Sequence, residues 1–277
     1  MSQDGAIIGR AADCHVHVFD PRYAFCDQPR YVPEPCLRGT AAQFLRVLDA
    51  HGFSHGLIVG AAPYGGEPGP LLDAIQMAGG RLKGITLVRS ELSDREMRNL
   101  ADGGIVGVRF NLALGLDELT GPMSQRVLAQ VRELGWFLQL HSIADDLAPA
   151  LSHLKAARVR LLFDHFARPD VQRGLDQHGF GAMLELARET DAVVKLSGAF
   201  RVSREVFPYL DTDRFAEAAI GAFTLDRCVW GSDWPFVNCD ERVDYGPQLV
   251  TLARWIPDAA DRARVLWNNP ARLFGFS

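Results

Sequence analysis

Eight short apolar runs, rich in β-branched residues, recur along the 277 residues of the chain. Longer amphipathic stretches and turn residues separate them, a pattern typical of alternating strands and helices. We predict strands at Ala12–Val18, Gly56–Ala61, Leu82–Val88, Ile105–Phe110, Trp136–His141, Val159–Asp164, Ala192–Leu196 and Cys228–Gly231. Eight strand–helix units fill a closed barrel, so the pattern predicts an α/β protein with a TIM-type (β/α)8 barrel.

The stretches between the runs have lengths suited to helices that cover a parallel sheet. We predict helices at Ala41–His51, Pro70–Gly79, Asp94–Asp102, Ser124–Leu134, Ala144–Ala156, Gly179–Glu189, Thr212–Phe223 and Tyr245–Trp255. A last segment, Asp258–Trp267, predicts a C-terminal helix that stops before Pro270. No G-x-G-x-x-G turn follows the first strand, which argues against a doubly wound open sheet. We therefore expect one barrel domain over residues 1–277.

A proline-rich loop of about residues 20–38 follows the first predicted strand, between Pro21 and Pro35. The loops after the strands of a barrel surround the mouth of its active site. This loop is therefore expected to form either a lid or specificity wall at the mouth, or a surface wrap without chemistry.

The charge of the chain excludes one broad class of partner. With 29 basic and 34 acidic residues, its formal net charge of -5 gives no net attraction to nucleic acid. Hydrophobic residues make up 48%, enough for a buried core, yet no stretch approaches the roughly 18 apolar residues of a membrane span. Asp4 and later charges interrupt the N-terminal apolar stretches, so we expect no secretory leader and a cytoplasmic protein.

The five cysteines form no C-x-x-C pair and are odd in number. This argues against a disulfide framework and against a thiolate zinc site. Cys14 and Cys228 lie inside apolar runs, and we expect both to be small buried side chains.

Polar residues cluster at the ends of the predicted strands, which share the mouth of a barrel. The first strand ends in His15-Val16-His17, and its two imidazoles should converge because residues two apart share a face. His141, His165 and Asp233 end the fifth, sixth and eighth strands. One such histidine is usually a structural residue with its hydrogen bonds satisfied, but four histidines and an aspartate together predict an active site.

Two kinds of chemistry suit this set. Histidine and aspartate bind Zn²⁺, which in catalytic sites keeps an open position for water. Without metal, the aspartate can activate water as a general base while a protonated histidine stabilises the oxyanion. Asp164 precedes His165, and alternation along the strand predicts that its side chain lies on the opposite face, in a structural role.

Five segments along the whole chain resemble the amidohydrolase superfamily, in the branch that contains 2-pyrone-4,6-dicarboxylate lactonase. An isolated H-x-H is weak evidence, whereas the ordered set is specific. The segments are Asp13–Phe19 (DCHVHVF), Gly104–Asn111 (GIVGVRFN), Asp164–Asp170 (DHFARPD), Trp230–Pro235 (WGSDWP) and Asn269–Phe276 (NPARLFGF).

The resemblance implies a role for each matching residue. Asp233 would be the general base, and His15, His17 and His165 would bind or polarise the lactone carbonyl. The substrate-binding residues would be Arg109, Arg168, Arg201, Tyr31 and His141. Arginine suits bidentate recognition of a carboxylate, although Arg109 or Arg201 would serve equally well as a salt-bridged side chain without a role in binding.

Two departures from the branch affect the expected substrate and cofactor. Residues 111–115 lack the second arginine of the dicarboxylate lactonase, which implies fewer substrate carboxylates. The second departure is His141, which stands where that lactonase has no metal-binding histidine. The fourth strand also has no lysine that could be carboxylated to bridge two metals, so we expect no cofactor or one divalent ion, zinc by preference. If a metal binds, its ligands would be His15, His17, His141 and Asp233, with support from His165.

The leading functional hypothesis is a lactone hydrolase that acts on a small carboxylated, and hence anionic, lactone. A zinc-dependent decarboxylase or a lactone isomerase or lactonase of sugar acids is the alternative, because a shared fold does not fix the reaction. A non-catalytic barrel that binds a metabolite is the third hypothesis. A homo-oligomer is left open by the sequence.

Overall fold

A computed structural model describes residues 9–88 and 91–277, so that Asp4 lies outside the described residues. Eight parallel strands are hydrogen-bonded in chain order from β1 to β8, which confirms the predicted (β/α)8 barrel. The strands are β1 Ala12–Val16, β2 His55–Val59, β3 Leu82–Leu87, β4 Ile105–Asn111, β5 Phe137–His141, β6 Arg160–Phe163, β7 Val193–Ser197 and β8 Cys228–Gly231. A parallel bridge between Val16 and Trp234 links the two ends of the sheet.

Helices cover the outside of the sheet. They are α1 Ala41–Ala50, α2 Gly69–Met77, α3 Asp94–Asp102, α4 Asp117–Thr120, α5 Pro122–Glu133, α6 Leu151–Ala157, α7 His178–Glu189, α8 Ala199–Val202, α9 Asp213–Phe223, α10 Tyr245–Trp255, α11 Ala259–Ala263 and α12 Asn269–Phe274. Within the described ranges, no helix is long and apolar enough to cross a bilayer. Thr40 and Ser93 begin α1 and α3 with capping boxes, in which side chains satisfy free backbone N–H groups.

The helix predicted at Ala144–Ala156 is wrong in its first half. Ala144 has a left-handed φ of 49°, and residues Ala148–Ala150 form only a 3-10 turn before α6 begins. The cause is local hydrogen bonding, because the Asp146 carboxylate accepts from the Ile143 N–H at 3.0 Å and holds this segment as a loop.

Side chains alternate between the two faces of the barrel wall. In β7, Val193 packs in the barrel interior, whereas Val194 and Leu196 pack outward against the helices. Cys14 lies in the interior cluster and Cys228 in the outer one, and both are fully buried, as expected. C-terminal side chains complete the interior cluster at the end of the barrel opposite the strand ends: Leu273, Phe274 and Phe276.

The predicted end of the terminal helix before Pro270 is also wrong. After α11 the chain makes a π turn at Arg264–Asn268 and continues directly into α12 through Pro270. Proline is accepted there because it lies in the first turn of α12, where a backbone N–H has no helical partner. The buried Asn269 side chain donates to the carbonyls of Leu225 at 2.6 Å and Cys228 at 2.8 Å, which fixes the turn against β8.

The first prediction concerns this attachment of α12 to β8. Replacing Asn269 with Ala leaves two buried carbonyls without a donor, so the free energy of unfolding should fall by about 1–3 kcal/mol. Urea unfolding followed by circular dichroism measures the loss. Asn268→Ala is the matched control, because its exposed neighbouring side chain should change stability by less than about 0.5 kcal/mol. Equal stability of the two variants would contradict the assigned role of Asn269.

Candidate active site

The end of β1 brings two histidines into the barrel interior. The pairing of β1 with β2 shifts register between Asp13 and Val16. Because of this irregularity, the consecutive residues Cys14 and His15 both face the barrel interior. The imidazole centroids of His15 and His17 lie 5.1 Å apart, as expected for converging side chains. The Nδ1 atom of His17 lies 2.9 Å from the Val59 carbonyl, which orients this ring toward the mouth through its Nε2 atom.

The turn after β6 corrects the expectation for Asp164. The strand ends at Phe163, and left-handed backbone follows, with φ of 48° at His165 and 38° at Phe166. Leu162 packs inside the barrel and Phe163 outside it, so alternation itself turns Asp164 inward, and the left-handed turn then brings His165 into the site as well. One oxygen of Asp164 lies 3.1 Å from His15 Nδ1, and the other accepts from Arg109 Nε at 2.9 Å. The prediction that Asp164 faces away from the site is wrong.

The turn after β8 places Asp233 in the centre of the site. Its φ is 63°, and its N–H donates to the His15 carbonyl at 2.8 Å. Its Oδ1 atom lies 3.6 Å from His15 Nε2 and 3.7 Å from His17 Nε2. Its Oδ2 atom lies 3.6 Å from His165 Nε2 and accepts a hydrogen bond from Arg201 Nε.

A buried polar network lies beneath these groups. Lys195 of β7 is 0% exposed, and its Nζ lies 3.0 Å from His15 Nδ1, 2.8 Å from Gln139 Oε1 and 3.3 Å from Asp164 Oδ1. Gln139 Nε2 donates to the other Asp164 oxygen at 3.1 Å. The sequence analysis missed Lys195 and Gln139. The available signal was a lysine inside an apolar strand, because lysine is almost never fully buried without partners.

One cavity of about 300 Å³ is lined by all nine residues predicted for catalysis and substrate binding. Arg30, Asn111 and Asn238, which were not predicted, line it as well. Arg30 and Tyr31 belong to the long loop after β1, which therefore forms part of the wall of the mouth. Burial raises the pKa of Tyr31 to about 12, so its phenol keeps its proton and remains a hydrogen-bond donor.

The three predicted arginines differ in their partners. Arg109 is paired with Asp164 and Arg201 with Asp233, and both arginines also line the cavity. Across residues 9–88 and 91–277, no carboxylate lies within ion-pair distance of Arg168, and its buried Nε has no hydrogen-bond partner. Arg168 therefore lines the cavity as a cation that no carboxylate of the described residues contacts directly. His141 likewise has a buried Nδ1 without a partner.

The histidines of the site are neutral. Burial lowers the pKa of His15, with Lys195 as the next cause, and burial, followed by the neighbouring ring of His15, lowers the pKa of His17 to about 3. Burial also lowers the pKa of His165 well below its usual value. These shifts oppose the protonated histidine expected for the metal-free mechanism, because cations and a dry environment disfavour the imidazolium.

Asp233 remains ionised. Its burial alone would raise its pKa, but the guanidinium of Arg201, the largest opposing cause, favours the charged form, and the net direction is down. An ionised carboxylate among neutral imidazoles has a free lone pair for a proton from water.

The site also has three donor groups with the spacing of a divalent-ion site. His15, His17 and Asp233 offer ligand atoms that all lie within 4.8 Å of one another, and His15 Nε2 is buried without a hydrogen-bond partner. The histidine-to-carboxylate separations of 3.6 and 3.7 Å approach the about 3.4 Å expected between ligands of tetrahedral zinc. The structure thus brings together three of the four predicted ligands at this spacing, and His141 is not in the group.

Comparison with known proteins defines the class. The sequence model of the amidohydrolase family matches residues 12–276, and the chain belongs to this family.

Among its relatives, 4-sulfomuconolactone hydrolase of Rhizobium radiobacter is 32% identical over 98% of this chain and 91% of its own length. The 2-pyrone-4,6-dicarboxylate hydrolase of Comamonas testosteroni is 30% identical over 95% and 90%. A crystal structure from Acinetobacter baumannii, described as a probable 2-pyrone-4,6-dicarboxylic acid hydrolase with citric acid bound, superposes with a TM-score of 0.86. It is 31% identical and covers 96% of this chain and 99% of that one. The sequence-based family assignment is confirmed.

The second prediction concerns acid stability and His17. Its folded pKa of about 3 lies below the ordinary value of 6.5, so the unfolded chain binds more protons between these values. The contribution of His17 to the free energy of unfolding is fully present above about pH 6.5. It is lost as the pH falls toward 3, by up to about 1.4 kcal/mol per pH unit. His17→Gln should therefore flatten the pH dependence of the free energy of unfolding between about pH 4 and 6.

The measurement is urea unfolding at a series of pH values on chelator-treated protein. His153→Gln replaces an exposed histidine of α6 and should retain the wild-type pH dependence. An unchanged slope in His17→Gln would show that His17 is not held neutral by its surroundings.

Proposed function

We propose that this protein is a lactone hydrolase that opens a small carboxylated lactone by attack of water on its carbonyl carbon. One observation carries the proposal. The ionised Asp233 is surrounded by the Nε2 atoms of His15, His17 and His165 at an arginine-lined cavity. The relatives described above are hydrolases of a lactone and of a cyclic dicarboxylate, which supports the same reaction class.

The proposed reaction begins with water placed between Asp233 and the substrate carbonyl. Asp233 takes one proton while the water oxygen bonds to the carbonyl carbon, and the carbonyl π electrons move to its oxygen. Imidazole N–H groups and the positive charge of Arg109 stabilise that oxyanion. When the oxyanion collapses, the ring C–O bond breaks, and the leaving ring oxygen receives the proton from Asp233. The product is a ring-opened acid.

The charges of the cavity favour an anionic substrate. Arg109 and Arg201 are neutralised in part by Asp164 and Asp233, whereas Arg168 is without a carboxylate partner in the part of the chain that the structure describes. A substrate carboxylate would supply the missing anion and accept two parallel N–H bonds from its guanidinium. Arg30 and Tyr31 at the loop wall add a second cation and a hydroxyl donor.

A divalent ion would be held by His15, His17 and Asp233, where it would supply Lewis acidity for the carbonyl or a more acidic water. The proposed roles of Arg168 in binding and of His165 in orienting Asp233 are the same with or without it. Cytoplasmic location, a homo-oligomeric assembly and a single-domain chain remain predictions from the sequence.

The third prediction tests the general base. Asp233→Asn removes the proton acceptor but preserves the shape of the side chain, so kcat should fall about 100- to 10,000-fold. Ring opening of carboxylated lactones is followed by loss of lactone absorbance, and products are identified by mass spectrometry. Asp240→Asn changes an exposed carboxylate in the same loop and should retain kcat. A folded Asp233→Asn protein with near-normal kcat would exclude the mechanism. Loss of CO2 from the substrate with the wild-type protein would indicate a decarboxylase instead.

The fourth prediction tests substrate charge. Arg168→Gln should raise KM for an anionic lactone by about 30-fold or more, since losing a buried charge pair costs about 2–5 kcal/mol. The methyl ester of the same lactone lacks the anion and should lose the dependence on Arg168. Arg204→Gln, at a nearby exposed arginine, is the matched control and should leave KM unchanged. Equal effects on acid and ester would remove Arg168 from anion recognition.

A further inference from the structure

The buried network beneath the site places opposite charges beside one atom of His15. Its Nδ1 lies 3.0 Å from the ammonium of Lys195 and 3.1 Å from an oxygen of Asp164. A neutral imidazole carries one proton, on either Nδ1 or Nε2. If Nδ1 faces the cation as an acceptor, the proton is on Nε2 and points into the cavity. If Nδ1 donates to Asp164, then Nε2 is left with a free lone pair.

The number of donors around Lys195 distinguishes the two arrangements. A protonated lysine has three N–H donors and no acceptor. Lys195 Nζ has two hydrogen-bond partners, His15 Nδ1 and Gln139 Oε1. Asp164 Oδ1 lies 3.3 Å from Nζ and 3.1 Å from His15 Nδ1 but has no hydrogen-bond partner, so the contact of His15 Nδ1 with Lys195 is the better one. The other oxygen of Asp164 already accepts from Arg109 and Gln139. If His15 Nδ1 carried the proton, this N–H and the N–H groups of Lys195 would face each other across 3.0 Å with no acceptor between them.

The geometry points to Lys195 as a positioning residue that holds His15 with its proton on Nε2. His15 is then a hydrogen-bond donor to the cavity, and Lys195 opposes its use as a metal ligand. A histidine nitrogen must be free of its proton to bind a metal, so moving this proton costs affinity. The site therefore has the spacing for an ion, but one of its three donor atoms is in the wrong protonation form.

The neighbouring histidine has the opposite arrangement. His17 Nδ1 faces the carbonyl of Val59 at 2.9 Å, and a carbonyl oxygen only accepts hydrogen bonds. His17 therefore carries its proton on Nδ1, and its Nε2 lone pair faces Asp233 and the cavity. The H-x-H motif thus supplies one donor and one acceptor to the same space. In the proposed function, the donor serves the lactone carbonyl and the acceptor can receive a hydrogen bond from water.

The direct test uses wild-type protein labelled with ¹⁵N-histidine and stripped of metal by a chelator. Long-range ¹H–¹⁵N correlation spectra distinguish protonated from unprotonated ring nitrogens, and His15→Asn assigns the His15 signals by their loss. We expect an unprotonated Nδ1 and a protonated Nε2 for His15, and the reverse for His17. A protonated Nδ1 on His15 would overturn the inference, and this experiment does not depend on any Lys195 variant folding.

The second test removes the cation with Lys195→Met, which keeps the length of the side chain. His15 Nδ1 should then carry the proton and donate to Asp164, as in the carboxylate–histidine–metal arrangement of many zinc sites. Zinc affinity, measured by calorimetric titration of chelator-treated protein, should rise about 10- to 100-fold, the usual scale for such outer contacts. An unchanged affinity or an unchanged His15 spectrum in the folded variant would overturn the inference.

Ser197→Ala is the matched control. Ser197 lies two residues along the same strand and is also buried, but its Oγ contacts His165 Nδ1 at 2.8 Å instead of His15. It should leave the His15 spectrum and zinc affinity unchanged. The inference rests on the proposed function only in one respect, namely that the His15 Nε2–H donates to the lactone carbonyl. Both readouts are independent of catalysis, so failure of the lactone assays and failure of this inference are separate results.

Discussion

The active site depends on the backbone seam that joins the first and last strands of the barrel. The Asp233 N–H donates to the His15 carbonyl at 2.8 Å, and the His17 N–H donates to the Trp234 carbonyl at 2.9 Å. Asp13 also accepts from the Ser232 N–H at 2.9 Å. These bonds connect residues more than 200 positions apart, and they place the proposed base beside two histidines. Gly231 is required at the seam because a Cβ there would lie 2.6 Å from His15 backbone nitrogen.

The second requirement is a balance of buried charge. Asp164 and Lys195 are both 0% exposed, and neither would be tolerated alone in the barrel interior because the desolvation of an unpaired ion is large. Together with Arg109 and Gln139 they satisfy most of each other's hydrogen-bonding atoms. Such a network adds little net stability compared with apolar packing. Its value is in orientation, since it fixes the rings and charges that face the cavity.

The sequence alone predicted the architecture because hydrophobic periodicity is a local property. All eight strands occur where apolar runs were found, and nine predicted site residues line one cavity. Helix ends were less well predicted. Short-range hydrogen bonds turned residues 144–150 into a loop, and a π turn carried the last helix through Pro270. Those outcomes depend on side-chain partners that periodicity does not register.

The identity and order of the residues at the strand ends determined the class of the protein. They also determined which residues line the site, because the ends of parallel strands must meet at one face. Only the tertiary structure decided how those residues pair. It turned His165 inward beside Asp164 through a left-handed backbone, bound Arg201 to Asp233, and set Lys195 beneath His15. The reason is physical. Alternation along a strand assigns a face, whereas charge pairing, protonation and ligand geometry depend on distances between segments far apart in the chain.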